Sequence, residues 1–142
     1  MLVMSDERYL LDASAIYPLV LRLRKELLRY VNRFAVLDLT VYEVGNVLWK
    51  EFRRSRIKRL EPVITLFEEI FSYIEVLRPR IGLGEVVKLA VKEGLTFYDA
   101  SYLYTARTSG MKLVTEDSDL LKFSESISVN ELLHELGVVR KP

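Results

Sequence analysis

Four acidic side chains stand where regular structure should begin or end: Asp12, Glu43, Asp99 and Asp117, with Asp119 a candidate fifth. Asp12 closes the apolar run Arg8-Tyr9-Leu10-Leu11 and is followed at once by Ala13-Ser14-Ala15, a way of presenting a carboxylate at the end of a strand. Glu43 lies three residues after Thr40 and Asp99 three after Thr96, the spacing of a capping box at a helix start. Asp117 and Asp119 follow Lys112-Leu113-Val114-Thr115, a short run suited to a strand covered on both faces. Carboxylates brought to about 5 Å repel by about 3 kcal/mol at an effective dielectric of about 20. A cluster of them therefore requires shared protons or a bound cation. Oxygen donors without histidine or cysteine favour Mg²⁺ or Mn²⁺ over zinc. Such an ion lowers the pKa of a bound water and neutralises charge on a phosphate, which suits phosphodiester hydrolysis.

The composition narrows the alternatives. The chain has 142 residues, no cysteine and one histidine, His134, which removes disulfides, thiolate catalysis, a serine–histidine triad and zinc–sulfur sites. The net charge is +1, so nucleic-acid binding has to come from a local patch such as the basic run Lys50 to Arg59. Within that run Lys50, Arg53, Arg54 and Arg56 are the candidate RNA-backbone contacts, set against the plainer reading of a solvated helix end. No apolar run reaches the roughly 18 residues that span a bilayer, and no signal peptide is evident, so a cytoplasmic protein is expected. With half its residues hydrophobic and no linker or repeat, the chain is expected to form one domain over residues 1–142.

The elements that must position the acids follow from periodicity. Residues 1–7 read as a frayed start before a first strand at 8–11, and leucines and valines from Ile16 to Phe34 mark an amphipathic helix with Pro18 a candidate break. A second strand at 35–37 leads into a helix from Thr40 to about Arg54, Pro62 sits in the first turn of a third helix, and residues 73–77 make a third strand. A helix over 82–93 stops at Gly94, and another from Thr96 stops at Gly110. The strand at 112–115, a turn at 120–123, a short strand at 127–129 and a terminal helix from Asn130 complete the chain. Four or five short strands alternating with helices predict an α/β fold, a three-layer α/β/α sandwich around a mainly parallel sheet. Right-handed crossovers bring all C-terminal strand ends to one edge, where Asp12, Glu43 and Asp117 should meet, and Asp99 returns there at the start of its helix.

LLDAS (10–14), the glutamate of TVYEVGNVLWK (40–50), TFYDASYLYTAR (96–107) and LVTEDSDLLKF (113–123) together resemble a PIN domain, and in size and detail the VapC-type ribonuclease toxins of prokaryotic toxin–antitoxin pairs. The likeness runs from about Tyr9 to Leu136; residues 54–82 match by helical pattern only. It implies a Mg²⁺- or Mn²⁺-dependent endoribonuclease with Asp12, Glu43, Asp99 and Asp117 as its acids and Asp119 as an auxiliary one. It further implies Ser14 and Thr115 as the hydroxyls that steady the first and fourth acids, a small antitoxin whose tail enters the acidic groove, and a homodimer.

Each feature also has a plainer reading. Glu43 and Asp99 could be capping residues, which would leave Asp12 and Asp117 unexplained. Asp119 reads as a turn or N-cap residue, Trp49 with Tyr42, Phe52 and Phe67 as core or a groove for a partner helix, and His134 as a surface residue. Gly45, inside a helix, hints at a close neighbour. A PIN nuclease for RNA processing without an antitoxin is the nearest alternative. A catalytically silent, Mg²⁺-binding signalling or partner-binding domain is the alternative from another class. A receiver-like form of the latter needs a lone aspartate ending the central strand and a lysine ending a later one, whereas Lys112 begins its strand.

Overall fold

A computed structural model describes residues 7–80 and 82–138; of the expected frayed start only Glu7 lies within them. The strands are β1 (Tyr9–Leu11), β2 (Phe34–Leu37), β3 (Glu75–Leu77), β4 (Lys112–Val114) and β5 (Ser126–Ile127). The helices are α1 (Ala13–Leu23), α2 (Asp38–Arg53), α3 (Leu60–Tyr73), α4 (Leu83–Glu93), α5 (Phe97–Ser109), α6 (Ser118–Leu121) and α7 (Val129–Glu135). The strands form one sheet in the order β3-β2-β1-β4-β5, every pair parallel.

Strand alternation divides the interior into two apolar layers. Tyr9, Leu11, Phe34, Val36 and Val114 face one side with Ile16, Leu19 and Val20 of α1, Phe67 and Ile70 of α3 and Leu132 of α7. Leu10, Ala35, Leu37 and Leu113 face the other with Tyr102, Leu103 and Ala106 of α5. Both faces of the sheet are thus covered, which is why its strands are apolar almost without interruption. Gly94 and Gly110 end α4 and α5 with φ of +68° and +65°, the left-handed cap expected at both.

The order of the strands reverses direction at β1. The chain first winds outward through β2 and β3, then returns to the other side of β1 as β4. Ligands of open α/β sheets bind beyond the carboxyl ends of the strands at such a switch point. The register Leu11↔Val114 makes Asp12 and Thr115 the next residues on either side of it.

Several boundaries depart from the sequence expectation. The first long helix is interrupted at Arg24, not at Pro18: Pro18 lies inside α1, whereas Arg24 takes φ +52° and hands the chain to two 3-10 turns, Arg24–Arg29 and Val31–Arg33. Tyr73 belongs to α3 and is exposed, so β3 starts two residues later than the apolar run does. Asp38 opens α2 two residues before Thr40, and Ser118–Leu121, which overlaps the turn expected at 120–123, forms the single-turn α6.

Candidate active site

Asp12 ends β1 and is the N-cap of α1, its Oδ1 accepting the Ala15 N–H at 3.1 Å. Two hydroxyls complete its surroundings: Ser14 Oγ donates to Oδ1 and Thr115 Oγ1 to Oδ2, each at 2.6 Å. Each hydroxyl then accepts a backbone N–H from the segment after β4, Glu116 N on Ser14 at 2.9 Å and Asp117 N on Thr115 at 3.0 Å. Each has a single proton and gives it to Asp12, so the 3.3 Å approach of the two oxygens is contact without a donor. Residues on β1 and after β4 are therefore fastened together through one carboxylate. Asp12 is only 6% exposed, and burial pushes its carboxyl up to about 6 despite the three hydrogen bonds that oppose the shift; the charge of Glu43 adds to it.

Thr115→Val keeps the shape of a fully buried side chain but removes the proton on Asp12 Oδ2 and the acceptor for Asp117 N–H. Leaving buried polar groups unpaired costs about 1–3 kcal/mol each. Chemical denaturation is expected to show a loss of about 2–6 kcal/mol for Thr115→Val, from two such groups, and a loss of under about 1 kcal/mol for Thr115→Ser.

Asp117 is the N-cap of α6, its Oδ1 accepting the Asp119 N–H at 2.9 Å. Asp119 lies exposed one position into that helix, so the capping role expected of it belongs to Asp117. Asp99 sits in the first turn of α5 behind the N-cap Thr96, whose Oγ1 accepts the Asp99 N–H at 3.1 Å; the bond uses the backbone of Asp99 and not its carboxylate. Its carboxyl is raised, first by burial and then by the charge of Asp117, with Glu43 and Asp119 adding smaller contributions and the Thr96 hydroxyl opposing.

Glu43 lies in the second turn of α2, because the helix begins at Asp38. The Thr40–Glu43 capping box therefore does not form; Thr40 Oγ1 instead accepts the Leu37 N–H at 3.1 Å. Glu43 is held from α5 by Tyr102, whose phenol donates to Oε1 at 2.5 Å and lies 2.6 Å from Thr40 Oγ1. Tyr102 and Thr40 carry a part in this site that the sequence reading missed. The available signal was their spacing: Thr40 lies three residues before Glu43 and Tyr102 three after Asp99, so each shares a helix face with an acid.

The capping explanation is thus reversed. Asp12 and Asp117 are the side-chain caps, while the carboxylates of Glu43 and Asp99 cap nothing among the described residues. The charges of Glu43, Asp117 and Asp119 act on Asp99, and that of Glu43 acts also on Asp12. None of these acids forms an ion pair among the described residues. An all-oxygen donor set under mutual repulsion and without a protein cation fits a hard divalent ion in chemistry. The described residues contain no ready-made group of three such side chains around one point, so an ion would have to draw them inward.

The basic positions are less unified. Arg56 pairs with Glu51 at 3.1 Å and Arg53 lies over the Trp49 ring at 5.0 Å from its centroid, which leaves Lys50 and Arg54 without a described ion pair. Phe67 is core, but Trp49 is 55% exposed and Tyr42 and Phe52 are exposed with it, so the aromatic residues of α2 form an outer face and not an interior one. Gly45 lies on that exposed helix with open space where its Cβ would be, so no close neighbour among the described residues explains it. His134 is exposed on α7, as expected. No described helix is long and apolar enough to cross a membrane.

The family model for the PIN domain matches residues 9–126, the span that carries every acid above. The chain belongs to the PIN-domain family. It is 44% identical over 130 residues to exonuclease VapC9 of Pyrobaculum aerophilum, a match covering 91% of this chain and 96% of that protein. It is 40% identical over 88 residues to ribonuclease VapC3 of the same organism, covering 59% of this chain and 66% of the relative. The crystal structure of PAE2754 from Pyrobaculum aerophilum superposes with a TM-score of 0.84 at 40% identity, over 94% of this chain and 98% of that one. The expected membership of the PIN family, with its parallel-sheet α/β fold, is borne out in the fold and in these relatives.

Proposed function

We propose that this PIN domain is a Mg²⁺- or Mn²⁺-dependent endoribonuclease and the toxin of a toxin–antitoxin pair. The observation that carries the reading is the Asp12–Glu43–Asp99–Asp117 group itself, in which Asp12 and Asp99 are raised first by burial and further by the charges of neighbouring acids, and none of the four pairs with a cation among the described residues. The VapC names of two relatives support a nuclease. Asp12, Asp99 and Asp117 would hold the ion, Glu43 would complete the site or orient the attacking water, and Asp119 would assist. The bound ion would supply a more acidic water and charge neutralisation on the phosphate. Ser14 and Thr115 keep the Asp12 carboxylate ionisable and fixed relative to the loop that carries Asp117.

One relative is named an exonuclease, so the test has to separate cutting within a strand from trimming its ends. A mixed linear RNA pool and a circular RNA, each with Mg²⁺, Mn²⁺ or EDTA, do so. The reading expects both RNAs to be cut with either ion and neither with EDTA. Intact circles beside trimmed linear RNA would reject the endonuclease, and equal cutting in EDTA would reject the metal.

Lys50 lies two turns after Glu43 on the same side of α2, and Arg54 follows at the end of that helix. Lys50→Ala with Arg54→Ala is expected to weaken RNA binding while lowering the slope of log affinity against log salt by about 1.4, at about 0.7 per phosphate contact on single strands. Fluorescence anisotropy at several salt concentrations measures it; an unchanged slope removes both residues from the RNA path. The exposed Val41, Tyr42, Trp49 and Phe52 are the face proposed for the antitoxin or a second copy of the chain.

A further inference from the structure

Tyr102 is 1% exposed on the inner face of α5, and its ring belongs to the apolar layer beneath β2 and β4. Its hydroxyl nevertheless does not end in hydrocarbon. Thr40 Oγ1 accepts the Leu37 N–H at 3.1 Å, lies 2.6 Å from the Tyr102 oxygen, and that phenol reaches Glu43 Oε1 at 2.5 Å. The direction of this chain is fixed by counting protons. An ionised Glu43 can only accept, so the phenol gives its single proton to the carboxylate; the phenol oxygen then accepts, and Thr40 must be its donor. Every donor points toward Glu43, starting from the backbone amide of Leu37 at the end of β2.

We infer that Tyr102 is a positioning residue of the acidic site: it holds Glu43 by one carboxylate oxygen and ties the helix bearing Glu43 to the helix bearing Asp99. The inference rests on the nuclease reading above. Tyr102 lies one turn after Asp99, so its phenol, bonded to both Thr40 and Glu43 of α2, couples the position of the Glu43 carboxylate to the helix that carries Asp99. It uses Oε1 and leaves Oε2 without a partner among the described residues, available to an ion or a water. A buried phenol suits this task better than a lysine or arginine would. It fixes the carboxylate without neutralising the charge that a divalent ion needs.

The test is Tyr102→Phe, which keeps the ring and removes only the hydroxyl, compared with Glu43→Ala and with the double variant. Mn²⁺ binding is read by electron paramagnetic resonance without RNA, kcat and KM with RNA, and folding by circular dichroism. Loss of a group that orients a ligand typically weakens metal affinity or turnover by about 10- to 100-fold. The expected result for Tyr102→Phe is a fall of that order in Mn²⁺ affinity and kcat, with KM for RNA within about twofold and the fold retained. In the Glu43→Ala background, which has no oxygen left for the phenol, the same substitution should change neither quantity. Unchanged Mn²⁺ binding and kcat, an equal fall in both backgrounds, or a variant that does not fold would each overturn the inference. Failure of the wild-type protein both to bind Mn²⁺ and to cut RNA would instead remove the nuclease reading, and the inference with it.

Discussion

Replacing Asp99 by Asn is expected to reduce RNA cleavage at least about a thousandfold while leaving the fold intact. A metal ligand contributes several kcal/mol to stabilising transition-state charge, and each 1.36 kcal/mol is tenfold in rate, which gives losses of about 10³. The fold should survive because the structural bond at this position runs from the Asp99 backbone N–H to Thr96 Oγ1, and asparagine keeps it. Its carboxylate is instead a destabilising group without metal, raised by burial and by the charge of Asp117. The variant should therefore melt at the same temperature as the wild type or higher in EDTA, and lack the stabilisation that Mg²⁺ or Mn²⁺ is expected to give the wild type. Wild-type cleavage by Asp99→Asn would remove Asp99 from the site; a much lower melting temperature in EDTA would make it a structural residue.

The second large effect is on stability against pH and comes from Asp12. Its folded pKa of about 6 lies above its ordinary 3.8, so the folded chain binds a proton more readily than the unfolded chain. The resulting stability is fully present below the unfolded pKa and is lost as pH rises through the folded one. Over that window it amounts to about 3 kcal/mol, at 1.36 kcal/mol per pH unit. Denaturation in EDTA at pH 7 and pH 5 is expected to show the wild type gaining about 1.4 kcal/mol more than Asp12→Asn between them. The comparison between the two chains cancels the slope of Asp99, which has the same sign. An equal slope in both would mean that Asp12 is ionised at an ordinary pKa and is not desolvated by the end of β1. Addition of Mn²⁺ should flatten the wild-type slope, because an ion beside Asp12 favours its charged form.

The sheet was readable because its strands are short apolar runs bounded by glycine, proline or acids, and the glycines at 94 and 110 end their helices where expected. The edge on which the acids gather was equally legible, since parallel strands joined by helices leave little freedom about where their carboxyl ends lie. Local capping was less so. Thr-x-x-Glu at Thr40 is a sound start signal, but β2 is buried to Leu37 and the chain turns at once into α2, so tertiary burial moved the start to Asp38. Thr40 became an interior donor as a result. Asp12 and Asp117 cap helices that open on alanine and serine, where no glutamate or glutamine three residues on marks a box. Tyr102 was hidden by its ring, which reads as core and is core; only the hydroxyl takes part in the site. Trp49 departs in the opposite sense: of its two readings, core and a groove for a partner helix, its exposure on the outer face removes the first.

The most direct test of the central claim is anomalous scattering from crystals of the protein soaked in Mn²⁺. The account predicts a peak bounded by Asp12, Asp99 and Asp117, with Glu43 in contact with the ion or with a water bound to it, at oxygen distances of about 2.0–2.2 Å. Full occupancy at another group of side chains, or no peak at Mn²⁺ concentrations that support cleavage, would contradict it.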